Sequence, residues 1–232
     1  VRSGDTVSNL AGVLTQGNPG WTTPGNIYRI NPFTLPTFTA TNPRPPAPNP
    51  VRASGSLKVS SSNVLNYFLT LDTTNTPPFP CGPSANQECR GANTAFEFTR
   101  QRDKLLQALY ILNADIVGLM ELENTPNVEP LADLVNGLNA LAGPGTYDYI
   151  ATGTIIPGDV IKVGLIYKPG VVQPVGDFAI LNSLVDPTFS SGNRPALAQT
   201  FEEIATNGRF TIIVNHLKSK GCTGATGLDT DQ

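Results

Sequence analysis

Charge is scarce in this chain of 232 residues: 14% are Asp, Glu, Lys or Arg, and the net charge is −3. So slight an acidic balance offers no global attraction to nucleic acid or to an anionic membrane. Any polyanionic partner must be held by a local basic patch or a bound cation, which argues against a protein that merely coats nucleic acid. Long apolar runs are missing too. No stretch approaches the ~18 residues of a membrane-spanning helix, and no basic start with an apolar middle marks a signal peptide. Histidine and methionine occur once each, as His216 and Met120, and cysteine three times. The loop from Cys81 to Cys89 has no further Cys or His nearby to complete a metal site. It contains Pro and Gly and can instead close as a small disulfide ring in an oxidising compartment. Cys222 is left over, which points to a partner elsewhere. A chain that opens on Val1 and carries its only Met at position 120 reads as a processed or excised piece.

What the chain has in quantity is Gly (22) and Pro (21), beside an ordinary 39% of hydrophobic residues, a composition that suggests a β-rich, loop-rich globular protein. Residues 1–35 hold two strand-like patches, 6–14 and 26–30, too little to bury a core of their own. Pro36, Pro43, Pro45, Pro46, Pro48 and Pro50 stiffen the segment 36–55 into an extended linker. The main domain, 56–232, opens with a β-type run over 57–65 that ends near Asn63. Thr94 and Glu97 have the spacing of a capping box, and Phe98, Leu105, Leu109 and Leu112 follow as the apolar face of a helix, with Arg100, Gln101, Asp103 and Lys104 largely opposite. A second helix is expected over 127–143. From there the period falls to two, and strands are expected at 147–152, 162–167, 171–178, 196–201 and 209–217. Strand, helix, strand, helix and then a run of strands implies mixed sheets covered by helices.

Three polar residues stand where such strands end or turn polar. Residues 116–120 form an apolar run suited to a central strand buried on both faces, and Glu121 follows, with Glu123 and Asn124 just beyond. Taken alone, Glu121 reads as the first solvated residue after a core strand. His216 ends the last strand and is followed by Lys218 and Lys220. A histidine trades protons near neutral pH and lysines offer point charges to an anion, although a satisfied structural histidine with two solvated lysines explains the same residues. Asn63 is the third. Together, a carboxylate and an amide oxygen suit a hard cation such as Mg²⁺, and a neighbouring His and Lys suit metal-assisted attack of water on a phosphodiester.

In order along the chain stand 62–68 (SNVLNYF), 90–93 (RGAN), 98–104 (FTRQRDK), 115–124 (DIVGLMELEN), 163–169 (VGLIYKP), 193–197 (NRPAL) and 215–222 (NHLKSKGC). This series resembles the endonuclease/exonuclease/phosphatase superfamily, and within it the bacterial secreted nucleases, from about residue 57 onward. The resemblance implies an α/β (α+β) fold, a four-layered sandwich of two mixed sheets face to face with helices outside, incomplete in this chain. It implies a secreted, extracellular or periplasmic hydrolase that cleaves DNA, with RNA as a further substrate, using Mg²⁺ or Mn²⁺, with Ca²⁺ a further candidate. Asn63 and Glu121 would hold the metal. His216 would stand beside the scissile phosphate with Asp159 near where relatives orient that histidine, and Arg194, Asn215 and Lys218 would contact phosphate. Ser62 departs from the pattern, since relatives often carry a bulky apolar residue there. Relatives also carry a Gly-Asp-x-Asn motif and a closing Asp-His pair that this chain does not reach before Gln232. The expectation is therefore of a missing C-terminal half of the domain, to which Cys222 would pair. Residues 1–35 resemble the last strands of a preceding OB-like module. The alternatives are another phosphoesterase of the superfamily, acting on a phospholipid or a small phosphate ester, and a non-catalytic surface binding protein that keeps the fold.

Overall fold

The computed structural model describes residues 3–17, 26–41, 55–71, 76–125, 127–153, 155, 158–189 and 194–217. The chain divides into two compact units, Val1–Pro50 and Val51–Gln232. In the first, β1 (Gly12–Gly17) and β2 (Ile27–Pro32) form an antiparallel pair, and Thr6 bridges Thr39. The strand expected at 6–14 thus begins later. Val13, Leu14, Tyr28, Ile30 and Phe33 of this unit are exposed, so the pair buries almost no core.

The second unit is mixed α+β. Its first sheet has the order β3-β4-β6-β5, with β3 (Val59–Tyr67) parallel to β4 (Ile116–Glu123), and β6 (Ile161–Tyr167) antiparallel to both β4 and β5 (Asp148–Tyr149). The second sheet joins β10 (Arg209–Val214), β9 (Ala196–Glu203) and β7 (Val172–Pro174), and β8 (Ala179–Leu181) also pairs with β9. Two helices, α1 (Ala95–Leu112) and α2 (Glu129–Ala142), cover one face of the first sheet.

The alternation along β4 explains this layering. Val117 and Leu119 face the helices and pack with Leu106, Leu109, Leu131, Leu134 and Leu138, whereas Ile116 and Met120 face the second sheet with Leu197, Phe201 and Val214. Gly118 points the same way, and a Cβ there would meet Val214 at 3.0 Å, so the sheets approach closely at that point. A strand covered on both faces has to be apolar throughout, as the run 116–120 is. Helices, first sheet and second sheet make three layers among the described residues. Among the described residues no α-helix follows β6 to supply a fourth, and none of the described helices is long and apolar enough to cross a membrane.

Half of the expected capping box of α1 forms, with Thr94 Oγ1 accepting from the Glu97 N–H at 3.2 Å, while Glu97 Oε2 reaches one residue past the cap to the Asn93 N–H at 3.2 Å. Asn113, in left-handed conformation (φ 47°), ends the helix. Strand lengths differ from expectation at the edge of the first sheet and where the second is irregular. The run 147–152 shortens to the two residues of β5, and 171–178 splits around Gly176 (φ 67°) into β7 and β8. At the far end β10 stops at Val214, leaving His216 outside the ladder.

Candidate active site

Glu121 and Asn63 are placed by two bulges on neighbouring strands. The register of β4 against β6 runs from Leu119↔Gly164 to Leu122↔Lys162, so Met120 and Glu121 together oppose Val163. The register of β3 against β4 likewise slips between Asn63 and Tyr67. An extra residue in one strand breaks the alternation and re-aims a side chain. Leu119 and Leu122, three apart, both pack into the helix-side core, as do Val64 and Tyr67. Without its bulge, Glu121 would occupy that apolar face. With it, Glu121 leaves the core and takes a left-handed backbone (φ 69°), as do Leu65 (φ 58°) and Asn66 (φ 51°) on β3. Such conformations cost a non-glycine residue ~1–2 kcal/mol. The expectation that β4 stops at Glu121 is thereby corrected: the strand continues to Glu123, and the carboxylate emerges from within it.

Backbone groups freed by the bulges find partners, as buried amides must. Gln101 of α1 donates its amide N–H groups to the carbonyls of Val64 (3.2 Å) and Leu65 (2.7 Å). The Leu65 N–H donates to Asn63 Oδ1 at 2.8 Å and the Asn66 N–H to Glu121 Oε2 at 3.1 Å. Asn63 Nδ2 in turn donates to Glu121 Oε1 at 2.6 Å. Gln101, expected on the open side of its helix, turns inward to support the site. The Tyr67 hydroxyl donates to Asp133, which also accepts from Arg102 Nε at 2.7 Å, tying the end of β3 to both helices. Burial and Asp133 push the Tyr67 phenol far up, so it stays a donor.

His216 lies two residues past β10 with its Nε2 3.6 Å from Glu121 Oε1, and the two side chains are each 18% exposed. Burial first, then the charge of Arg194, lowers its pKa below the usual imidazole range, against opposing pulls from Glu121 and Asp159. Its Nδ1 is buried with no hydrogen-bond partner among the described residues. Asp159, expected near the orienting position, makes no bond to His216 among those residues. Instead Asp159 Oδ2 accepts from Arg194 Nε (3.2 Å) and Nη2 (3.1 Å) and from Arg90 Nη1 (3.1 Å). Its Oδ1 accepts from the Val160 N–H at 2.7 Å and faces Arg90 Nη2 at 3.0 Å.

The structure therefore brings Asn63, Glu121 and His216 into contact and sets Arg194 and Asp159 near enough to act on His216. Asn215 is exposed at the head of a cleft of about 480 Å³ between β3 and β10, shared with Ser60, Ser61 and Met120. Lys218 and Cys222 lie outside the described residues. Cys81 and Cys89 are disulfide-bonded.

A donor set of one carboxylate, with an amide beside it, fits a hard cation that fills its remaining positions with water and phosphate oxygens. The fit is partial. Asn63 turns its nitrogen toward Glu121 and its oxygen toward Leu65, so it would offer an oxygen only if the amide turned over and gave up the Leu65 bond. Among the described residues no three His, Cys, Asp or Glu side chains converge as a metal site.

Four polar residues were not anticipated as buried or site-forming. Arg90 is one. Glu123 is only 2% exposed and accepts from the N–H groups of Leu69 (2.8 Å) and Thr70 (3.1 Å). Asn124 Nδ2 donates to the carbonyls of Ile155 and Asp159 at 3.0 Å each, and its Oδ1 accepts from the Ile155 N–H, so it clamps the segment that carries Asp159. Lys162, also 2% exposed, donates to the carbonyls of Asn127 (2.9 Å) and Gly153 (2.8 Å), and burial lowers its pKa to about 8. The polar tail of 115–124 was the available signal for Glu123 and Asn124, and a lone Lys inside an apolar strand for Lys162.

No family model matches the chain, and no curated protein does. Among solved structures it is similar to an endonuclease/exonuclease/phosphatase from Bacteroides vulgatus (17% identity, 70% of this chain and 52% of that one, TM-score 0.44). An endonuclease/exonuclease/phosphatase family protein from Bacteroides thetaiotaomicron aligns at 16% identity over 71% and 52% of the two chains, with a TM-score of 0.45. The human Nocturnin catalytic domain with bound sulfate aligns at 18% over 54% and 45%, with a TM-score of 0.38. The chain spans about half the length of these structures. Similarity at this level assigns it no function.

Proposed function

We propose that this chain carries part of the active site of a metal-dependent phosphodiesterase, a secreted nuclease that hydrolyses DNA, with RNA as a further substrate. The observation that carries the reading is Glu121: a carboxylate turned out of a core strand by a bulge, in a left-handed conformation, against Asn63 and His216. Backbone held in a costly conformation at a polar cluster is a mark of functional sites.

Glu121, with Asn63 after its amide turns, would hold Mg²⁺ or Mn²⁺. Bound there, the cation offsets negative charge on the phosphate and favours attack by water. His216 donates a hydrogen bond or a proton to the phosphate oxygen that gains charge, and Arg194, held by Asp159, fixes the phosphate through its free N–H groups. Asn215 and Lys218, adjoining His216, are the further phosphate contacts proposed. The Cys81–Cys89 disulfide supports a site of action outside the reducing cytosol. A second reading, a non-catalytic binding protein that keeps the fold, is favoured by the absence of a three-residue metal cluster among the described residues.

Incubating the full protein with plasmid DNA separates the two. The nuclease reading expects cleavage with Mg²⁺ or Mn²⁺, none after chelation, and a loss of about a hundredfold or more in Glu121→Ala. Intact plasmid with every metal, or equal cleavage by the Glu121→Ala protein, would favour the binding protein.

A further inference from the structure

Arg90 has no part in the mechanism above, yet its position is held from several sides. On one side Cys89 is bonded to Cys81, and both pack in a small core with Phe68, Val160 and Ile161. On the other, Gly91 lies so close to Phe68 that an added Cβ would sit 2.3 Å from the Phe68 Cβ. Gln87, inside the disulfide ring, donates to the Gly158 carbonyl at 3.5 Å. The ring is thus seated on the segment that presents Asp159, and Arg90 leaves it facing that carboxylate.

Two guanidinium groups share this single carboxylate, so one positive charge is left over. Arg90 engages Asp159 through Nη1 and Nη2 only. Of its five N–H donors, that leaves the Nε proton and one proton on each Nη without a partner among the described residues. Arg194 is the inner member, 19% exposed, and Arg90 the outer one, 45% exposed. An exposed ion pair kept only for stability contributes little. A fixed guanidinium with unused donors, facing solvent beside a second one, is built to bind an anion in a fork geometry.

We propose that Arg90 forms, with Arg194, a subsite for a second phosphate of the substrate, the one flanking the phosphate under attack. The inference rests on the nuclease reading and narrows its substrate to a polynucleotide strand, since a small phosphate ester has no second phosphate to place there. Exposure rises from His216 (18%) and Arg194 (19%) through Asp159 (24%) to Arg90 (45%), so the strand would run outward from His216 toward the disulfide ring.

The test compares the full protein and its Arg90→Gln variant on a single-stranded oligodeoxynucleotide and on bis-p-nitrophenyl phosphate, with thermal melts to establish that the variant folds. The proposal expects kcat/KM to fall about tenfold more for the oligonucleotide than for the small diester, chiefly through KM. In a Glu121→Gln background, oligonucleotide binding should lose about 0.7 from the magnitude of its slope against log salt. Arg90→Lys, which retains a charge, should restore that slope. Equal falls on both substrates would mean that Arg90 only steadies Asp159 and Arg194, and an unchanged slope would mean that it meets no phosphate; either result overturns the subsite. A wild-type protein that cleaves neither substrate would instead sink the nuclease reading, and the salt slope would still decide the subsite.

Discussion

Glu121 and Glu123 sit two residues apart on one strand and do opposite work. Glu123 is buried, and one of its oxygens accepts two backbone N–H groups from residues 69 and 70, while the other lies 3.5 Å from the disulfide sulfur of Cys81, which has no proton to donate. It is a staple that joins β4 to the chain leaving β3. Glu121 is partly open, shares its oxygens with an amide and a backbone N–H, faces the imidazole of His216, and stands in a conformation that favours glycine. A carboxylate that holds the fold together is satisfied by backbone. The carboxylate proposed to take a ligand is held by groups that can let go, in a backbone the rest of the fold keeps in place.

The sharpest way to break this contrast is to remove the staple. Glu123→Ala strands two backbone donors and should destabilise the domain by about 3 kcal/mol in urea unfolding, whereas Glu121→Ala should cost less than a third of that. Equal losses would erase the distinction.

Next in size is the buried Lys162, whose charge Glu123 helps to offset. Its pKa in the fold, about 8, is below its ordinary value of 10.5, so between those values the unfolded chain binds more protons and stability rises with pH. Below pH 8 both states are protonated and the penalty is constant. From pH 7 to 10 the wild type should gain about 2 kcal/mol over Lys162→Met. A pH-independent difference would mean that the amine is better solvated than its position indicates.

The smallest effect isolates the backbone of Glu121. Both Glu121→Gly and Glu121→Ala delete the carboxylate, but only glycine is at ease at φ 69°. The glycine variant should be the more stable by about 1 kcal/mol in denaturant melts, with both inactive. Equal stabilities would show that the bulge relaxes once the side chain is gone.

Much of this was legible in the sequence, for reasons that local chemistry supplies. Thr94 and Glu97 announce the start of α1, the apolar run 116–120 announces a central strand, and Asn63, Glu121 and His216 each stand where such a run turns polar. The bulges were not legible, because a period of two describes a strand up to an inserted residue and not across it. The spacing of three between Leu119 and Leu122, and between Val64 and Tyr67, was the trace left in the sequence. Arg90 stood in a stretch that carries the resemblance but was given no role, because its partner, Asp159, lies 69 residues away. Lys162 and Glu123 look exposed by type; only tertiary structure supplies the carbonyls and N–H groups that let them be buried. Gln101 was placed on the solvent side of α1 because helical periodicity cannot foresee two strand carbonyls left open by a bulge.

The central claim is that Glu121 is the carboxylate that holds the catalytic cation. Titration of Mn²⁺ into the full protein, followed by electron paramagnetic resonance of the free ion, tests it without reference to activity. The account predicts saturable binding in the wild type that is weakened about tenfold or more in Glu121→Gln and unaffected in Glu129→Gln. Undiminished Mn²⁺ affinity in a folded Glu121→Gln protein would contradict it.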